Sequence, residues 1–190
     1  REVPFGRDGD FSESAMIART NSDLANDLGN LSQRTLSLVV KNCDGILPAL
    51  PANISGDDAA LLVAIDGLLE KVRAEFDQQA FHEGLRLVWE VIAAANRYID
   101  TQAPWALKKT DITRMGEVLA IIVETIRQIA ILVQPVMPES ATKLLGQLKV
   151  PHDERSFDVL AGAARITAGI TIEKPQGVFP RYQEPEGEGG

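Results

Sequence analysis

Between Met115 and Val133 apolar side chains recur at alternating spacings of four and three, through Leu119, Ile122, Ile126 and Ile129. That rhythm keeps one stripe of an α-helix facing a partner, and no strand satisfies it, because strand side chains alternate every two residues. The same period governs most of the chain. Leu24, Leu28, Leu31 and Leu38 share one face of a helix that begins near Phe11, where Asp10 and Glu13 have capping-box spacing. This helix is interrupted near Thr20–Ser22 and ends by Asp44-Gly45. Ser55 followed by Asp58 caps a second helix that runs to about Phe76 through Leu61, Ile65, Leu68, Leu69 and Val72. A third spans roughly Gln79 to Thr101, and its wide apolar girth predicts a central place in the fold. Pro104 stops it. The helix from about Thr113 ends at Pro135 and Pro138, and Pro138 starts another that reaches Lys149. Ile170 and Ile172 alternate as in a short strand. The fold class is therefore all-α, a helical bundle of about five helices.

Composition divides the chain into three stretches. Residues 1–11 mix Pro, Gly and Asp as a connector does, residues 12–160 carry the helical periodicity, and residues 161–190 form a loosely patterned end. The last seven residues hold three Glu, three Gly and one Pro, an acidic tail. The longest apolar run, Val118 to Val123, is far short of the roughly 20 residues that cross a bilayer, so no membrane partner is expected. A single cysteine, Cys43, closes no internal disulfide, which fits a reducing, cytoplasmic setting. The chain opens on Arg1 and reads as a piece of something longer.

As a catalyst the chain is poor. His82 and His152 stand in unrelated contexts, Cys43 has no histidine near it, and no metal-ligand spacing or phosphate-cradling glycine loop occurs. No catalytic residue, metal ligand or cofactor is assigned to it. Two local features carry more. Asn30 and Arg34 lie four residues apart, so one helix face presents an amide and a planar guanidinium, a pairing that reads the edge of an exposed base. The same spacing suits an ordinary surface pair bonded to each other or to a carboxylate such as Asp27. Ala103-Pro104-Trp105 forms a corner between two helices, where the indole offers a face for an unstacked base or else plugs the end of the bundle. Arg97, Lys108, Lys109 and Arg114 flank that corner against Asp100 and Asp111, a local excess of two positive charges in a chain of net charge −8. These cations suit phosphates, while the acidic remainder argues against a sequence-blind coat of nucleic acid.

The stretches Arg1-Glu-Val-Pro-Phe-Gly6, Asn21 to Arg34 (with Leu-Gly-Asn-Leu at 28–31), Asn96 to Trp105 (with Gln-Ala-Pro-Trp at 102–105) and Gln134-Pro-Val-Met-Pro138 resemble, in order and separation, the carboxy-terminal anticodon-binding portion of the bacterial methionyl-tRNA synthetase family. The resemblance implies the helical anticodon-binding domain type of class I synthetases. It implies that Trp105 stacks on an anticodon base, that Asn30 and Arg34 bond the base edge, and that Pro104 shapes the corner. It further implies a parent enzyme that joins methionine to tRNA(Met), initiator and elongator, using ATP with Mg. The family's catalytic domain, a partner of this one, lies outside these residues. Ile172 to Arg181 resembles the family's return peptide, and no dimerising appendage follows, which leaves a monomer. The alternatives are a helical protein–protein interaction domain and the anticodon-binding domain of another class I synthetase.

Overall fold

A computed structural model describes residues 3–9, 12–54, 56–161 and 164–183. Asp10 and Ser55, expected as helix caps, lie outside the described residues, as does the acidic tail from 184. The first helix, α1 (Glu13–Arg19), is capped instead by Ser12, whose hydroxyl accepts from the Ala15 amide at 3.2 Å. It passes without a break into a π-helical segment (Thr20–Gly29) and then α2 (Asn30–Asn42). The expected interruption near Thr20–Ser22 is thus a change of pitch. Gly29 permits it, since a Cβ there would lie 2.8 Å from the Leu24 carbonyl oxygen. The wider turn also rotates the helix beyond it. Leu28, Leu31, Thr35, Leu36 and Val39 are buried, while Leu38 is only half-buried.

The helix expected to run to Phe76 splits at Gly67 into α3 (Gly56–Asp66) and α4 (Leu68–Asp77). A tight turn, with Gln79 at φ +59°, reverses the chain into α5 (Phe81–Gln102). Gly84 admits the Phe76 ring, whose nearest atom would be 2.4 Å from a Cβ at that position. Phe76 meets Phe81 edge-on at 5.1 Å, and Phe81 meets Phe5 at 5.2 Å, so the segment around Phe5 is tied to this hairpin.

The centre of the bundle belongs to α7 (Ile112–Leu132), not to α5 as expected. Every residue from Val118 to Val133 is buried, whereas α5 keeps Arg86, Glu90, Arg97 and Asp100 exposed. The four-three stripe is only the best-ordered line on a helix that α2, α3, α5 and α8 (Pro138–Gln147) surround. Pro138 takes the first turn of α8, where its missing N–H leaves no gap in the ladder. Each buried Leu or Ile in this core contributes roughly 1.5–3 kcal/mol by leaving water.

Because α7 is enclosed, its polar residues must pair inside. Glu124 is fully buried and accepts from Arg127 at 2.7 and 2.9 Å, from Gln128 at 2.8 Å and from the Ile166 amide at 2.9 Å. Arg127 also donates to the Ala164 carbonyl at 2.7 Å, and Arg165 pairs with Asp66 of α3 at 2.5 and 2.6 Å.

Beyond the short α9 (Phe157–Ala161) the chain runs back over the helices. The Ile170–Ile172 alternation forms no strand among the described residues, only one antiparallel bridge, Ile46 with Thr171. Gln33 donates to the Pro175 carbonyl, Arg181 to Asn26, and Asn21 exchanges two bonds with the Tyr182 backbone. The returning segment therefore lies along the π-segment and α2.

Candidate nucleic-acid interface

Pro104 follows Ala103, and the residue before a proline is disfavoured in the right-handed helical region. Helix α5 therefore ends there. Ala103 adopts the left-handed conformation (φ 45°, ψ 60°), at a cost of roughly 1–2 kcal/mol for a residue with a Cβ. Its N–H still reaches the Ile99 carbonyl at 3.0 Å, and its own carbonyl accepts from Ala106 at 2.8 Å. Pro104 is buried and begins the single-turn α6 (Pro104–Leu107). Trp105, next in line, points outward and is 48% exposed. The turn closes through Asp111. Its N–H donates to the Leu107 carbonyl at 2.8 Å, and its carboxylate caps α7 by accepting from the Arg114 amide at 2.9 Å. The indole is thus an exposed flat face on a backbone with little freedom.

Arg34 is brought to the last turns of α5. Its Nη1 donates to Asp100 Oδ1 at 2.8 Å, and its Nη2 to Asn96 Oδ1 at 3.1 Å and to the Asn96 carbonyl at 3.4 Å. Asn96 in turn donates to the carbonyls of Asp27 and Ile92 at 3.3 and 3.1 Å. The Arg34 Nε is buried with no hydrogen-bond partner among the described residues. Asp100, five residues before Trp105, is 62% exposed at its side chain, so this ion pair contributes about 0–1 kcal/mol and is readily exchanged. Asn30, one turn before Arg34, is exposed, and its side chain makes no hydrogen bond among the described residues. It lines a cleft of ≈ 380 Å³ with Gly29, Gln33, Phe179 and Arg181. Asn30 and Arg34 do not bond each other, and the carboxylate that holds Arg34 is Asp100 rather than Asp27.

The expected phosphate contacts divide. Arg97, Lys108 and Lys109 are exposed and form no ion pair among the described residues. Arg114 does not belong with them. It grips Asp58 with both terminal nitrogens at 2.6 and 2.7 Å and donates to Gln102 at 2.8 Å. Asp58, read from the sequence as half of a capping box, is buried and accepts from the Tyr98 hydroxyl at 2.7 Å. The sequence assigned no task to Asn96, Asp100 or Gln102. The signal that could have found them was their place in the 96–105 stretch that carries the family resemblance.

Arg114 beside Asp58 holds that carboxyl below the ordinary aspartate range, with burial opposing and Tyr98 assisting. Burial, then the bond to Asp58, pushes the Tyr98 phenol upward. A carboxyl with a depressed folded pKa contributes stability that is complete above its unfolded value of about 3.9 and is lost as pH falls through the folded one. The stability difference between the wild type and Asp58→Asn, measured by urea denaturation, is therefore expected to shrink between about pH 5 and about pH 2. A difference that stays constant over that range contradicts the assignment.

No group of three or more His, Cys, Asp or Glu side chains is placed to hold a metal among the described residues, and no described helix is long and apolar enough to cross a membrane. Trp89 is half-buried against the core, and its indole N–H donates to the Asp23 carbonyl at 3.3 Å.

Residues 50–189 match the family described as the anticodon binding domain of methionyl tRNA ligase, and residues 1–36 match the class I (M) tRNA synthetases. Asn30 and Arg34 fall in the second match and Trp105 in the first, so the candidate residues straddle the two, and the cleft beside Asn30 is lined by neither Arg34 nor Trp105. The methionine–tRNA ligase of Brucella suis is 51% identical over 187 residues, 98% of this chain and 36% of the relative. That of Mycobacterium tuberculosis is 48% identical over 190 residues, again 98% of this chain and 36% of the relative. The crystal structure of the free Mycobacterium tuberculosis methionyl-tRNA synthetase superposes with a TM-score of 0.93 at 47% identity, covering 97% of this chain and 38% of that one. The same enzyme bound by methionyl-adenylate gives a TM-score of 0.90. The chain spans a little over a third of the length of the relatives it matches.

Proposed function

The chain belongs to the family of methionyl-tRNA ligase anticodon-binding domains, and from that premise we propose that it reads the CAU anticodon through Trp105, Asn30 and Arg34. Trp105 stacks on a base that has left the loop's own stack. Asn30 supplies an amide with free donors and acceptor, and Arg34 turns from Asp100 to the base edge. Pro104 and the strained Ala103 hold the indole in place. Arg97, Lys108 and Lys109 meet the loop phosphates, and the acidic remainder of the surface repels RNA that lacks a fitting loop.

The observation that carries this reading is a half-exposed indole on a rigid corner, a few residues past the carboxylate that anchors Arg34. A tryptophan serving only to seal the bundle would be enclosed. The parent protein is then a ligase that joins methionine to initiator and elongator tRNA(Met) at the expense of ATP with Mg, chemistry housed outside these residues. It acts in the cytoplasm.

In the full-length protein, saturable binding of a tRNA anticodon stem-loop is expected to weaken at least about tenfold, roughly 1.4 kcal/mol, when CAU is altered at one position. Equal affinity for altered loops contradicts the proposal, and favours a surface that binds protein partners instead.

A further inference from the structure

Asp58 stands on α3, far in sequence from every residue assigned to RNA, yet both ends of the Trp105 corner close on it. Tyr98 and Gln102 belong to the last turns of α5, and Arg114 to the first turn of α7. Between them lie residues 103–111, which include Pro104, Trp105, Lys108 and Lys109. From the α5 side, the Tyr98 hydroxyl donates to Asp58 Oδ1 at 2.7 Å. From the α7 side, Arg114 places Nη2 on the same oxygen at 2.7 Å and Nη1 on Oδ2 at 2.6 Å. Gln102 completes the ring, accepting from Arg114 at 2.8 Å and donating to the neighbouring Asp57 at 3.1 Å. One buried carboxylate therefore sets the separation of the two helix ends that carry the corner.

We infer that Asp58, paired with Arg114, is a positioning residue for anticodon binding: it fixes the Trp105 corner in its RNA-ready shape without touching RNA. This rests on Trp105 being the stacking platform. Three features favour it over a general ion pair. The carboxylate is 5% exposed and held by three donated bonds, so it has little room to shift. Its partners sit at the two limits of the corner rather than along the helices. A guanidinium fork fixes direction as well as distance, which a lysine ammonium does not. An interface that presents a ring already in place spends less of its binding free energy on ordering.

The test is a cycle in the full-length enzyme. Asp58→Asn removes the charge at nearly constant shape, and Arg114→Lys keeps the charge while removing the fork. Each is expected to raise KM for tRNA about five- to tenfold, with kcat and methionine-dependent pyrophosphate exchange unchanged. In a Trp105→Ala background the same changes are expected to alter KM by less than about twofold, because the ring they position is gone. Unchanged KM in both single variants overturns the inference. So does an increase that persists in full without Trp105, or a parallel loss of pyrophosphate exchange. Arg114→Lys also separates a direct phosphate contact, since a lysine there retains the charge a phosphate needs and KM then stays near wild type, which again overturns it. If Trp105→Ala alone leaves KM unaltered, it is the reading of the corner as an RNA platform that fails. Should Asp58→Asn not fold, Arg114→Lys carries the cycle alone.

Discussion

Trp105→Ala in the full-length enzyme is expected to lower kcat/KM for tRNA about 100-fold while methionine activation by ATP stays within about twofold of wild type. Stacking of a nucleobase on an aromatic side chain contributes roughly 1–3 kcal/mol, and 100-fold corresponds to about 2.7 kcal/mol. The upper part of that range applies because the corner is already ordered: Ala103, Pro104 and the hydrogen bonds through Asp111 leave the backbone beneath the ring little freedom to lose. Trp105→Phe retains a flat face and should recover most of the loss. The melting temperature should hardly move, since a ring that is 48% exposed contributes little to the core. Aminoacylation and pyrophosphate-exchange assays decide the matter. A fall of equal size in both reactions means that the indole supports the fold or the active centre, not RNA recognition.

The second large effect concerns stability. Glu124→Ala is expected to destabilise the domain by about 3–5 kcal/mol, because removing one member of a buried ion pair strands the other without water. Arg127, 2% exposed, would keep only the Ala164 carbonyl, and Gln128 and the Ile166 amide would each lose an acceptor. For a domain of this size that is a fall in melting temperature on the order of 10 °C. Replacing both partners, as Glu124→Leu with Arg127→Met, should be milder than Glu124→Ala, since no lone charge remains in the core. Calorimetry on the wild type and the two variants tests this. A double variant as unstable as the single one would show that the loss comes from the other groups around the pair, Asp66, Arg165 and the 164–166 backbone, and not from a stranded charge.

Much of the fold was readable from one-dimensional pattern. Pro104 and Pro138 marked a helix end and a helix start because proline acts on its own backbone, whatever the tertiary surroundings. The stripes through α5 and α7 located those helices because burial selects side chains by periodicity. Features that depend on approach in space were hidden. Periodicity could not tell that α7 is enclosed on all sides, since Glu124, Arg127 and Gln128 look like a solvated face until their partners are seen. The change of pitch at Thr20 left only a faint irregularity. Arg114 looked like a free cation, and Asp58 like a helix cap, because their partnership spans 56 residues.

The geometry of the candidate site was half readable. Asn30, Pro104 and Trp105 stand where the sequence led one to look, exposed or shaping an exposed corner. The attachment of Arg34 to Asn96 and Asp100 could not be read from spacing within α2, because its partners come from α5. A surface arginine takes the carboxylate that the packing of two helices brings to it, and that choice is made only once the bundle closes.

The side-chain-to-backbone hydrogen bonds that hold the returning segment have a consequence for how the protein is made. Gln33 meets the Pro175 carbonyl across a sequence separation of 142 residues, and Asn21 meets Tyr182 across 161. A ribosome delivers residues in order, so the helix bearing Asn30 and Arg34 waits through nearly all of the domain's translation before its outer flank is covered. During that interval the flank is uncovered, and the surface beside Asn30 is finished only after residues 175–182 have emerged.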